Sequence, residues 1–465
     1  MPERTSSSFG RRAQPSKALP IVAGVVLLAN AFVAAVAWHS DAADIIGVEP
    51  YFVHAVQQLA LGRPLYTDPE LPPFAAVQYT PLAYQACAGA AKAIGVNPRD
   101  PIAVTRTCRG VSIASWFAAL LLLGLWLAKI GAGAPAAVGL LAWWSTQSGT
   151  WWFLARPDAM ETLALVSALA VGTWAVQRRR RSAVLLAATV AVLAGCAKQN
   201  GWVASGILVL ALLTYGGWRA AVGAAAATFA LQAAVQGGAY AIWGAAWFQN
   251  TIGMLDNGID FRRAVILAYS PVALQACVPM VIASALAWKW RARGAERQFL
   301  SVAWAMLLAF AIATALKFGS ADNYFIDSYA AAALLIGCGY ADLRRRHPHV
   351  AKRLASAAAA ALALWAPFKL FESSLRISAA ETYGDVRPAY DRAVELLAER
   401  PGGWICSDDA RLACLLPDRA CLPQMLLSRL AKDRGRLPFA KFPVFVARGD
   451  LAVLGPVDDF GLTRS

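Results

Sequence analysis

The sequence predicts an all-α polytopic membrane protein of about 11–13 transmembrane helices with a small α/β appendage at its C-terminus. Two observations carry this. Of 465 residues, 58% are hydrophobic and only 15% charged, against roughly 45–50% and about 25% in soluble domains. The apolar residues also fall in runs of ~17–25, the length that crosses a ~30 Å hydrocarbon core. A soluble domain, a disordered chain and a secreted disulfide scaffold are excluded.

The first run, Leu19 to Trp38, follows a basic start (residues 1–18) and has no Ala-x-Ala cleavage pattern. It reads as a retained helix whose preceding tail is cytoplasmic. Further spans are expected at 110–129, 132–150, 159–176, 183–197, 201–216, 219–240, 263–288, 299–317, 323–340 and 354–371. Segment 74–95 is apolar but carries Gln78, Tyr79, Tyr84, Gln85 and Lys92. It is expected to be re-entrant or interfacial, or to cross as half of a pair.

The net charge of +15 reflects orientation rather than nucleic-acid binding. The basic residues punctuate the apolar runs at Arg11, Arg12 and Lys17, at Arg178 to Arg181, at Lys289 to Arg293, and at Arg344 to Arg353. Short basic loops stay cytoplasmic. Eleven spans place all four clusters on that side. The loop 39–73 and the region 372–465 are then extracytoplasmic, flanking a membrane domain over 19–371.

In the tail, a helix is expected at Arg387 to Glu399 and a strand at Gly403 to Cys406. A helix near Gln424 to Lys432 and a strand at Val444 to Ala447 should follow. Cys406, Cys414 and Cys421 lie close in sequence. In an oxidising compartment a Cys414–Cys421 bridge is favoured, with Cys406 left in its strand; three reduced thiols in a small core are the alternative. No CxxC pair occurs, so neither zinc nor a thioredoxin-like centre is indicated.

Chemistry concentrates in outer loops and at the outer ends of spans. The first loop holds Asp41, Asp44 and Glu49, then Tyr51 to Leu61 as a helix, Gly62-Arg63-Pro64-Leu65-Tyr66, and Gln78-Tyr79-Thr80-Pro81-Leu82. Loop carboxylates can accept a proton from a hydroxyl or ligate a divalent metal; the bland reading is a solvated charge. At Arg156-Pro157-Asp158, charge lies at membrane depth, where it is costly and usually functional, although Pro and Asp also suit a helix start. Lys198 stands between two back-to-back apolar spans, at the outer end. It is either a cation for an anionic ligand or a snorkelling side chain. Asp322-Asn323-Tyr324 opens another span, where a helix cap explains Asp322 equally well.

Taken together, Tyr51, Ala55, Gly62, Pro64, Leu65 and Tyr66, followed by Tyr79, Pro81, Leu82 and Tyr84, resemble the membrane-integral GT-C glycosyltransferases, which take sugars from polyprenyl-phosphate donors. Their relatives include protein O-mannosyltransferases and lipid A aminoarabinose transferases. The family's adjacent acidic pair is absent. Glu49, two residues before Tyr51, lies nearest its position, so it ranks first as the catalytic acid and Asp44 second. The resemblance implies that Asp158 lines the active-site cavity with the loop acid. It implies that Arg156 and Lys198 contact the donor phosphate, and that Tyr51, Tyr66, Gln78, Tyr79, Asn323 and Tyr324 line the substrate site. A divalent metal held by Glu49 and Asp158 is a further option.

The implied activity is inverting glycosyl transfer at the outer face of the cytoplasmic membrane, to a glycan, lipid or protein hydroxyl. A multi-pass transporter or flippase is the alternative. It would need acids or Pro/Gly breaks at mid-membrane depth.

Overall fold

The computed structural model describes residues 18–454, apart from 179, 256–258, 260, 263–264, 266–270, 291–293, 318–320, 408 and 422–440. Each expected span coincides with a helix. In chain order these are α1 (Ala18–His39), α4 (Pro101–Lys129), α5 (Ala134–Gln147), α6 (Asp158–Arg178), α7 (Arg181–Ala197), α8 (Val203–Tyr215), α9 (Trp218–Trp243), α11 (Pro271–Trp290), α12 (Ala295–Ala315), α13 (Ile326–Arg346) and α14 (Pro348–Ser378). Among the described residues, seven helices are long and apolar enough to cross a membrane. The other four of the eleven are α7, with 17 residues, α11, whose apolar stretch is Cys277–Trp290, and α5 and α8, with only 14 and 13 residues. At 1.5 Å per residue α5 and α8 each reach only ~20 Å, short of the ~30 Å core.

The remaining elements sit at one end of the bundle. Between α1 and α4 lie β1 (Ala42–Asp44), α2 (Glu49–Ala60) and α3 (Pro81–Ala93); α10 (Ala245–Thr251) follows α9. Helix α3 is the core of the ambiguous segment 74–95. With 13 residues it is too short to cross, and it packs beside α2, α4 and α7. Helix α4 starts nine residues before its expected span because Asp100 caps it, accepting from the Ala103 N–H at 3.0 Å, with Pro101 in its first turn.

Strand β1 pairs antiparallel with β2 (Glu381–Thr382), so that Ala42 opposes Thr382. This ties the first loop to the start of the C-terminal unit. At the other end of the bundle α13 closes on Arg344, Arg345 and Arg346. There Arg344 Nη2 donates to the Gly131 carbonyl in the α4–α5 turn at 3.1 Å, and Arg297 pairs with Asp342 at 2.7 Å.

At the bundle centre, α6 packs against α4, α7, α12 and α13. Residues Ala330 to Leu335 of α13 are all buried; small side chains let backbones approach closely where lipid supplies no hydrophobic drive. Trp116 packs against Trp144 and Trp152, with ring centroids 4.2 and 5.8 Å apart.

The C-terminal unit comprises α15 (Arg387–Glu399), β3 (Trp404–Ser407), α16 (Ala410–Leu415), β4 (Ala420–Cys421), α17 (Phe442–Ala447) and β5 (Leu451–Leu454). A parallel sheet runs β4-β3-β5. Two expectations are corrected. Residues 444–447 form a helix rather than a strand: Pro443 occupies its first turn, where a missing N–H costs nothing, and Gly449 at φ +76° turns the chain into β5. The favoured Cys414–Cys421 bridge is absent, because the two thiols point into different cores. Cys414 packs under α2, its thiol donating to the Pro50 carbonyl at 3.3 Å. Cys421 packs with Cys406 against Phe74. Cys414 and Cys421 are both free thiols. The helix expected near Gln424 to Lys432 lies outside the described residues.

Candidate active site

The two loop acids have different environments. Asp44 turns the chain into α2: its Oδ1 accepts from the backbone N–H groups of Gly47 (2.7 Å), Val48 (2.9 Å), Ile46 (3.2 Å) and Glu49 (3.4 Å). Burial, and then the neighbouring Glu49 charge, push its carboxyl up to about 6 against the pull of those hydrogen bonds.

Glu49 is fully buried and saturated. Arg109 Nε donates to its Oε1 at 2.9 Å and Arg109 Nη2 to its Oε2 at 2.7 Å. The Ala155 N–H also reaches Oε1 at 2.8 Å, and the Ile45 N–H reaches Oε2 at 3.0 Å. Both oxygens are occupied by scaffold donors, so Glu49 holds the loop against α4 and against the segment that carries Arg156.

That segment enters α6 through Arg156, Pro157 and Asp158. Asp158 is 2% exposed and gathers three partners. Lys198 Nζ donates to its Oδ1 at 2.6 Å, Asn323 Nδ2 to the same oxygen at 2.7 Å, and Arg156 Nε to Oδ2 at 2.9 Å. Lys198 reaches in from the turn after α7. Its fold depends on Gly201, because a side chain there would strike the Ala194 backbone.

Aromatic faces wall the cations. The Arg156 guanidinium lies 5.0 Å from the Trp151 ring and 5.5 Å from Tyr79, and Nη2 donates to the Tyr79 hydroxyl at 2.6 Å. Lys198 Nζ is 5.4 Å from the Tyr324 ring. Such cation–aromatic contacts hold charge in place where water is scarce. Two positive groups against one carboxylate leave a formal excess of one positive charge. That favours an anion able to accept the planar guanidinium fork.

The structure therefore brings Arg156, Asp158, Lys198, Tyr79, Asn323 and Tyr324 together. Tyr66 and Gln78 support them: the Tyr66 hydroxyl donates to the Tyr79 carbonyl at 2.6 Å while its ring meets Trp243 and Trp247 edge-on. Gln78 is held through its carbonyl by Gln199 Nε2 at 2.5 Å and donates from Nε2 to the Met254 carbonyl at 3.1 Å. Tyr51 stands apart, packed with Ala75, Ala413 and Ala420 against the C-terminal unit. Asp322 accepts from Trp151 Nε1 at 2.6 Å, which fixes the indole under Arg156.

Sequence reasoning missed Arg109, Glu161 and Asp327. All three are buried charges inside apolar helices, and their mere presence there was the available signal, since intramembrane charge is expensive.

A divalent metal shared by Glu49 and Asp158 does not fit this arrangement. Both Glu49 oxygens bond to Arg109 and backbone amides, and both Asp158 oxygens bond to cations. Among the described residues no group of three or more His, Cys, Asp or Glu side chains is placed to hold an ion.

No protein-family model and no curated protein matches the sequence. Solved structures do match. ArnT from Cupriavidus metallidurans bound to undecaprenyl phosphate superposes with a TM-score of 0.56 at 14% identity, over 89% of each chain. Its apo state gives 0.56 at 13%, over 85% of each. The Archaeoglobus fulgidus oligosaccharyltransferase, crystallised with zinc and sulfate, gives 0.54 at 12%, over 84% of this chain. The chain has the GT-C fold. It spans 61% of the length of the oligosaccharyltransferase. Within this fold Arg156, Asp158, Lys198 and Asn323 come together from the start of α6, the turn after α7 and the approach to α13.

Proposed function

We propose that this chain is a glycosyltransferase moving a sugar from a polyprenyl-phosphate carrier to an acceptor hydroxyl. The observation that carries the reading is the convergence of Arg156 and Lys198 on Asp158 in a buried, aromatic-walled position. A lipid phosphate meets both cations there, and Asp158 holds them aimed until it arrives. Positive charge fixed at the departing phosphate stabilises the charge that develops as the sugar–oxygen bond breaks. No general acid is required, because a phosphate is already a good leaving group.

The acceptor hydroxyl needs a base. Asp44 suits that role better than Glu49: a carboxyl near 6 is ionised at neutral pH yet still takes a proton. Glu49 is assigned instead to holding Arg109 and the Ala155 amide. A single displacement by the hydroxyl inverts the anomeric centre, by analogy with one-step hydrolases.

The basic cluster Arg344 to Arg346 at the opposite end of the bundle favours a cytoplasmic location for that end. The site and the unit from residue 372 onward then face out of a multi-pass protein of the cytoplasmic membrane. Charges gathered at one end favour chemistry at that face over passage of a substrate through the bundle. The test is lipid-linked-sugar profiling in a strain lacking the chain and in one carrying Asp44→Asn. Accumulated donor in both supports the transferase. Normal donor levels together with transport of an intact substrate by the variant overturn it.

A further inference from the structure

Glu161 and Asp327 stand behind the cation cluster and have no part in the reaction above. Glu161 lies one turn beyond Asp158 on α6 and is 3% exposed; Asp327, near the start of α13, is 8% exposed. The two carboxyl groups face each other across α6 and α13. Thr162 Oγ1 donates to Asp327 Oδ1 at 3.0 Å. Glu161 Oε1 is buried without a hydrogen-bond partner among the described residues. The charged groups facing the pair are Lys198 and Asp158. Lys198 is bonded to Asp158, and among the described residues neither Glu161 nor Asp327 has an ion-pair partner.

Ionised carboxylates are acceptors only, so a hydrogen bond between two of them needs a proton. Two such groups facing each other out of water do not both ionise. We propose that Glu161 and Asp327 share one proton and act as a single negative charge that offsets the phosphate-binding cations. The inference rests on the assignment of Arg156 and Lys198 to the donor phosphate. Arg156 and Lys198 contribute +2, Asp158 and the pair −2, so the resting site is neutral. The pair thereby limits how tightly an anionic phosphate is held, and lets the carrier phosphate leave after transfer.

Infrared spectroscopy of the purified full chain in detergent tests the shared proton directly. At neutral pH the wild type should show the carbonyl stretch of a protonated carboxylic acid, and Glu161→Gln or Asp327→Asn should remove it. Absence of that band from the wild type, or its persistence in both variants, overturns the proposal whether or not the variants fold well.

Binding of a prenyl methyl phosphodiester, whose one charge does not titrate, tests the coupling. Glu161→Gln keeps the pair's charge and should change affinity less than about twofold. The double variant Glu161→Gln/Asp327→Asn removes it and should bind about tenfold tighter, as expected for a unit charge on the order of 10 Å away. Unchanged or weaker binding by the double variant overturns the coupling. Loss of the band on Glu161→Gln, with no phosphodiester binding by any form including wild type, sustains the shared proton and overturns the phosphate assignment itself.

Discussion

Arg109 and Glu49 form a doubly bonded ion pair from which solvent is excluded: neither side chain exposes any surface, and the two bonds measure 2.9 and 2.7 Å. Arg109 also donates to the carbonyls of Ala37 (2.9 Å) and Ala42 (3.0 Å). One guanidinium thus joins the end of α1, β1, the start of α2 and α4. Through the Ala155 amide on Glu49, the same pair sets the position of Arg156.

Removing one partner of such a pair leaves an unpaired buried charge. Glu49→Gln should therefore lower stability by about 3–5 kcal/mol, read as an earlier thermal transition of the detergent-solubilised chain. Replacing both partners, Glu49→Leu with Arg109→Met, should recover part of that loss. If Glu49→Gln is as stable as the wild type but catalytically dead, Glu49 is the base and Asp44 is not.

Asp44→Asn should abolish transfer without a comparable loss of stability. Wild-type turnover should decline as pH falls through about 6, where the carboxyl takes its proton. Stability carries a second signature. The Asp44 value is raised from 3.8 to about 6, so the fold binds the extra proton and stability falls as pH rises across that window. Burial, and then the nearby Arg63, lower His54 from 6.5 to about 4, so stability rises across nearly the same window. Between pH 4 and 6 the stability of Asp44→Asn should rise more with pH, or fall less, than that of the wild type, because the falling Asp44 contribution is gone and the rising His54 contribution remains. Equal slopes in the two proteins would contradict the Asp44 assignment.

Helix positions were legible because each span is a continuous apolar run bounded by Gly, Pro or charge. The cluster of Arg156, Asp158 and Lys198 was legible for a related reason: charge next to such runs stands out. The partition of roles was not. Glu49 sits closer to the position that the resemblance implies, yet Arg109, sixty residues away inside an apolar helix, bonds to both of its oxygens. The pairing of Glu161 with Asp327 joins α6 to α13, and nothing in the local spacing of either acid announces the other. The 442–447 segment was misread because Val444, Phe445 and Val446 look like a strand until Pro443 and β5 are weighed with them.

The tail thiols and the orientation are tested together. Cys406, Cys414 and Cys421 are buried and should resist alkylation in the folded chain, then all react once it is denatured without reductant. A reporter fused after Arg181 should read cytoplasmic and one after Phe371 extracytoplasmic. A bridged peptide in non-reduced mass maps would contradict the thiol assignment, and a cytoplasmic tail would contradict the placement of the site.

The most direct test is the affinity of the purified chain for a polyprenyl phosphate, compared between wild type and Lys198→Met. The substitution keeps an unbranched side chain and removes the cation that meets Asp158 at 2.6 Å. The account predicts binding weakened at least about tenfold, from the loss of one charge-assisted contact of roughly 1.5–3 kcal/mol, with Arg156→Gln behaving alike. Equal binding by wild type and both variants would show that the phosphate is held elsewhere, and would remove the basis for reading this cluster as the donor site.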